Sequence, residues 1–148
     1  MANILPSSVL FCCTMNEIRS PMAEGIMKHL HGRRVFVDSA GVHQGKLDPM
    51  MVAVMSEINI DMGKHNPKTF DNLTDDSFDM AISLSPPAQH KAVDLSRYHH
   101  CDVKYWKVSD PSLVEGSRDV KLAAYRQVRD ELRMRILELF PFANDPRF

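Results

Sequence analysis

The chain has 148 residues, 44% of them hydrophobic and 25% charged, and its 18 basic residues nearly balance 19 acidic ones. That length suits one domain spanning 1–148 with its own core, and the composition excludes a disordered or fibrous chain. A net charge of −1 argues against a protein built to grip nucleic acid or an anionic membrane.

No apolar run approaches the ~18 residues of a spanning helix, and no basic residue precedes Arg19 to form a signal-peptide front. Three cysteines are too few for a disulfide framework, so a reducing cytoplasm is the expected setting. Val9-Leu10-Phe11-Cys12-Cys13 is a nearly unbroken apolar run, as in a strand buried on both faces. Ser20-Pro21 predicts a helix start, with a hydroxyl cap and proline in the first turn. Met22, Ala23, Ile26, Met27 and Leu30 form its apolar stripe. Residues 34–38 read as a second strand, ended by Ser39-Ala40-Gly41, and Asp48-Pro49 opens a second helix. Residues 79–84 read as a third strand with Ser85-Pro86 capping the helix behind it, and 103–108 as a weaker fourth. After Gly116-Ser117 comes the longest helix, with Val120, Ala124, Val128, Leu132, Ile136 and Leu139 on one face until Pro141 stops it. Strands alternating with helices predict a doubly wound α/β fold: one four-stranded parallel sheet with helices on both faces. Ligands of such sheets bind beyond the carboxyl ends of the strands, which directs attention to Cys13.

From Cys13 the sequence runs Thr14-Met15-Asn16-Glu17-Ile18-Arg19-Ser20-Pro21, from strand end to helix start. Seven residues from cysteine to arginine can wrap one tetrahedral anion, with successive backbone N–H groups turned inward and the positive end of a helix behind them. Arg19 offers a planar fork matched to two phosphate oxygens. Cys13 at the base of the loop sits where that field suits a thiolate, the attacking species. Thr14, Met15, Asn16, Glu17, Ile18 and Ser20 are therefore the expected substrate-binding residues. Cys12, facing the other side of the strand, is expected in the core.

Phosphate-ester cleavage also needs an acid for the leaving oxygen. Asp110-Pro111 follows the fourth strand, on the same side of the sheet as the loop, and Pro111 restrains Asp110 to an extended conformation. Cys101 beside His99 and His100 does not make a metal site, because three consecutive residues do not converge on one ion and a fourth ligand is missing. No metal and no cofactor is expected.

Val9 through Glu24, with Cys13-Thr14-Met15-Asn16-Glu17-Ile18-Arg19-Ser20-Pro21 at its centre, resembles the signature of low-molecular-weight protein tyrosine phosphatases, a loop shared with the thioredoxin-coupled arsenate reductases. The likeness runs on through Asp38-Ser39-Ala40-Gly41 and Asp110-Pro111, and the stretch from Gly116 to Arg133 is similar to the reductase branch. The resemblance implies that Cys13 is the nucleophile, Arg19 the phosphate clamp and Asp110 the acid. It further implies that Asn16, Ser20 and Ser39 brace the loop by hydrogen bonds.

The chain also departs from the family pattern. Met15 stands where a glycine is usual, Ile18 where many members have a second cysteine, and Glu17 puts a carboxylate in the anion loop, where it is expected to point to solvent. Ser112 and the stretch 42–47 lack the aromatics that flank a phosphotyrosine ring.

Three readings follow from the sequence. One is a metal-free phosphomonoesterase working through phosphocysteine on a phosphate monoester or phosphoprotein, phosphotyrosine protein included. The second is a non-catalytic phosphate-binding module. The third is an arsenate reductase, for which the Ser85-Pro86-Pro87-Ala88-Gln89 region lacks redox cysteines. Neither nucleic acid nor a membrane is an expected partner, and the sequence does not speak to oligomeric state.

Overall fold

The structure, a computed structural model, describes residues 5–75 and 77–141. Four strands, β1 (Ser8–Cys13), β2 (Phe36–Gly41), β3 (Met80–Ser83) and β4 (Asp102–Tyr105), form one sheet in the order β2-β1-β3-β4. All three pairings are parallel, with Cys13 opposite Gly41 and Cys12 opposite Ser83. Four helices connect and cover the strands: α1 (Arg19–His31), α2 (Pro49–Ser56), α3 (Pro86–Ser96) and α4 (Arg118–Leu139). The chain is thus the doubly wound α/β protein that the alternation predicted.

The two-residue period of β1 decides which side each helix takes. Val9, Phe11 and Cys13 face a core built with α1, α2 and α4, including Met22, Met51, Met55, Leu132 and Ile136. Leu10 and Cys12 face a smaller core with Phe78, Ala81, Ala88 and Ala92 beneath α3. The fully buried methionines fill the first core, each worth about 1.5–3 kcal/mol of burial. Trp106, just past β4, tilts against Phe11 at 6.3 Å between ring centres and lies beneath Arg135.

Three expectations about elements need correction. Ser20 does not cap α1: the helix begins one residue earlier at Arg19, and the Ser20 hydroxyl is buried in contacts with the loop. The second strand runs from Phe36 through Gly41, so Ser39-Ala40-Gly41 lies inside it, and the fourth stops at Tyr105. In α4 the early turns bury Leu122 and Tyr125 rather than Val120, which is 49% exposed. The helix turns inward by the tyrosine because its hydroxyl reaches the Asp48 carboxylate, at 2.8 Å.

Charge ties α4 to α2. Arg129 donates to the Val54 carbonyl at 2.7 Å and to Glu57 at 2.8 Å, and Arg126 grips the same carboxylate through Nε and Nη2. Hydrogen bonds from Arg126 and then Arg129 hold the Glu57 carboxyl down at about 2, against 4.5 for an ordinary one. A depressed folded-state value stabilises the protein above pH 4.5, and that contribution is lost as pH falls toward 2. The Tm gap between wild type and Glu57→Gln is therefore expected to be constant near neutrality and to close on acidification through that window. A gap independent of pH would remove this pairing from the stability of the α2–α4 contact.

Candidate active site

Cys13 closes β1 at the carboxyl edge of the sheet, beside the point where strand order reverses. Residues 14–18 then form a loop that delivers the chain into α1 at Arg19. Within the described residues, no acceptor takes the backbone N–H groups of residues 15–19. Unpaired amides at a helix start form a site suited to an oxyanion.

Asn16 sets the shape of this loop. It adopts φ 58°, a left-handed conformation that asparagine tolerates better than most residues, and it is fully buried. Met15, by contrast, has a negative φ, so methionine at that position imposes no backbone strain. The Asn16 amide donates to Ser20 at 2.8 Å and Ser39 at 2.9 Å, while its side-chain oxygen accepts from the Lys68 N–H at 3.0 Å. Because Ser20 already accepts from Asn16, its own proton is available to Cys13 Sγ, 2.9 Å away. On the other arm Ser39 donates to Glu24, whose second oxygen holds Lys28. The three bracing residues implied by resemblance are thus gathered around the thiol. Glu24, Lys28, His65 and Lys68 extend that frame without having been singled out in the sequence. Glu24 and Lys28 lie four and eight residues beyond Ser20, on its face of α1, whereas His65, 2.9 Å from the Asn16 carbonyl, comes from a long connection with no local signal.

Arg19 reaches over the loop mouth. Its Nη1 donates to the carbonyls of Leu84, at 3.3 Å, and Val108, at 3.0 Å. Those anchors leave Nε and Nη2 as a fork for an anion. Asp110 is extended, with φ −84° and ψ 109°, and caps the short turn Pro111–Leu113. Both the Ser112 N–H and hydroxyl donate to Oδ1, which leaves Oδ2 outside these two bonds.

Cys13, Met15, Glu17, Ile18, Arg19, Asp110 and Ser112 line one cleft of about 30 Å³, roughly the share of space one water takes in the liquid. A hollow of about 680 Å³, lined by residues 28–37, lies at the opposite end of β2 and offers no thiol. Thr14 turns away from the cleft to Ser85, at 2.9 Å, tying the loop to the start of α3.

Glu17 does not point to solvent as expected. Its side chain lies along Gly45, where a Cβ would come within 2.4 Å of Cγ, and Oε1 accepts from the Lys46 N–H at 2.8 Å. Glycine at 45 makes this contact possible, and the carboxylate stays on the cleft wall.

The other two cysteines lie elsewhere. Cys12 faces the α3 side of the sheet, directed at the carbonyls of Ile82 and Ala88, and burial pushes its thiol well up. Cys101 stands just before β4, at the amino edge of the sheet, whereas Cys13 ends β1 at the carboxyl edge.

A parallel sheet with a thiol, unpaired amides and a guanidinium gathered at its switch point defines a cysteine-and-arginine anion-loop protein. The chain belongs to the low molecular weight phosphotyrosine protein phosphatase family, whose model matches residues 8–144. It is 32% identical over 130 residues to an arsenate reductase of Bacillus subtilis (strain 168), covering 88% of this chain and 92% of that one. Among solved structures it is similar to an arsenate reductase in the phosphate binding state, with 26% identity, TM-score 0.70 and coverage of 90% and 95%. It is also similar to a low molecular weight protein tyrosine phosphatase from T. tengcongensis, with 25% identity, TM-score 0.72 and coverage of 89% and 96%. The chain is accordingly an enzyme of a superfamily that holds both phosphatases and arsenate reductases.

Proposed function

We propose that the protein is a cysteine-dependent phosphomonoesterase. The observation that carries this reading is the convergence of Cys13, Arg19 and Asp110 on one cleft over a loop whose amides are unpaired. Cys13 Sγ attacks phosphorus, forming an S–P bond as the P–O bond to the leaving group breaks. The loop amides and the Arg19 fork stabilise the charge on the equatorial oxygens. Asp110, protonated at the outset, gives its proton to the leaving oxygen. As a carboxylate it then takes a proton from the water that attacks phosphocysteine, and phosphate and the free thiol are regenerated.

Arsenate reduction is the second reading, favoured by the names of the relatives at about 30% identity. It requires a relay of sulfurs, each within reach of the next. Here the third strand continues into Ser85-Pro86-Pro87-Ala88-Gln89 without a cysteine. Cys12 lies across the sheet from Cys13, and Cys101 is at the sheet's other end. These placements support phosphate chemistry over electron transfer.

One assay separates the readings. The protein is expected to hydrolyse a generic aryl phosphate, to be inhibited competitively by arsenate, and to consume no reductant when arsenate, thioredoxin and its reductase are supplied. Steady reductant consumption abolished by Cys101→Ser would replace the phosphatase with a reductase. Tight phosphate binding without turnover of any ester would leave a binding module.

A further inference from the structure

We infer that Tyr125 is a positioning residue for the acid step: by holding Asp48 from α4, it sets the spacing between the wall beside the anion loop and the turn that carries Asp110. The inference rests on the phosphatase reading and gives that reaction a residue from outside the lining of the cleft.

Residues 42–48 run alongside the anion loop as a rail. The Val42 N–H donates to the Cys13 carbonyl at 3.2 Å, and the His43 N–H to the Thr14 carbonyl at 2.9 Å. Further along, the Lys46 N–H donates to Glu17 at 2.8 Å. The rail begins where β2 ends, at Gly41, whose register opposite Cys13 is fixed by the sheet. Its other end is Asp48, which is held twice. Oδ1 accepts from the Met50 and Met51 N–H groups to cap α2, and Oδ2 accepts from the Tyr125 hydroxyl at 2.8 Å. Tyr125 is buried in the first half of α4. That helix also packs against the short turn Pro111–Leu113, which Asp110 caps. One helix thus bears on both sides of the cleft, through a directed bond on one side and through packing on the other.

The ring alone would satisfy the core that Tyr125 shares with Leu122 and Val128; the hydroxyl is what reaches the rail. Burial, the bond to Asp48 and the charges of Asp48, Asp110 and Glu17 all push that hydroxyl up, so it keeps its proton and remains a donor. Without it, a half-buried carboxylate oxygen loses its partner, and Asp48 must turn or admit water. The rail then gains freedom at the end away from β2. The anion loop has its own bracing through Asn16, Ser20 and Ser39, so phosphate binding should be spared. Proton transfer from Asp110 spans the cleft, and misplacement by about 1 Å is enough to slow such a step.

The test is Tyr125→Phe, which keeps the ring and removes only the hydroxyl. The readouts are Ki for inorganic phosphate and kcat/KM for aryl phosphates from phenyl to 4-nitrophenyl, a constant that covers departure of the leaving group. The expected loss is about five- to twentyfold for phenyl phosphate, shrinking toward none for the 4-nitrophenyl ester, with Ki unchanged within about twofold. A residue that only stabilised the fold would lower Tm without this dependence on the leaving group. In an Asp110→Asn background the dependence should vanish, because no proton is left to align. Asp48→Ser, the second variant, keeps a capping oxygen for α2 but has no second oxygen for Tyr125, and should reproduce the pattern. Equal losses for all esters, no loss in either variant, or a dependence that persists with Asp110→Asn would overturn the assignment while leaving the phosphatase intact. Failure of wild type to hydrolyse any of the esters would instead overturn the phosphatase reading, and this inference with it.

Discussion

Cys13→Ser is expected to abolish aryl phosphate hydrolysis, with a loss of about 10⁴-fold or more, the scale seen when a covalent nucleophile is removed. Serine preserves the hydrogen bond to Ser20 and nearly the same volume, so the loop should survive the change and still bind phosphate. The thiolate is lost, and a serine hydroxyl has no adjacent base to activate it. Arg19→Ala is expected to cost about 10²–10³-fold, the usual effect of removing one donor to transition-state charge. Turnover should be unchanged by a chelator, because every role in the proposed reaction falls to a side chain or a backbone amide. The check is steady-state hydrolysis together with phosphate binding followed by calorimetry. Cys13→Ser retaining more than a few per cent of the activity would show the nucleophile to be misassigned.

Asp110→Asn should lower turnover by about 10²–10⁴-fold on alkyl phosphates, the range for a positioned general acid. The deficit should contract as the leaving group becomes more acidic, because an anion that departs unaided needs no proton. Asparagine keeps an acceptor for the Ser112 N–H and hydroxyl, so the short turn after Pro111 should hold its shape. The slope of log kcat against leaving-group acidity, in wild type and variant, is the measurement. Parallel lines would remove Asp110 from the role of acid.

The sequence was most informative where local rules and tertiary demands coincide. The apolar run ending at Cys13 and the proline-marked starts of α2 and α3 could be read because capping and burial are local or periodic. The cysteine-to-arginine spacing located the loop for the same reason. Ser20 was misread because a hydroxyl before proline signals a cap, whereas here its oxygen accepts from the Asn16 amide and its proton goes to Cys13. Glu17 was misread because the residue that holds it, Lys46, is 29 positions away and acts through its backbone. The positive φ at Asn16 likewise follows from three long-range or loop-closing bonds that no local pattern encodes. Tyr125 displaced Val120 from the buried face of α4 for a partner 77 residues distant.

The two carbonyls that anchor Arg19 belong to different segments: Leu84 leaves β3, and Val108 lies two residues ahead of Asp110. In the proposed reaction the residue that grips the anion is therefore also a strut between the nucleophile's loop and the acid's. Free energy invested in orienting one group is shared by the other, so the losses on replacing Arg19 and Asp110 are expected to be coupled and not to sum. A guanidinium is suited to this double duty, since one edge can be sacrificed to the scaffold while the other stays free. Lysine at 19 would keep the charge but would have to choose between strut and clamp.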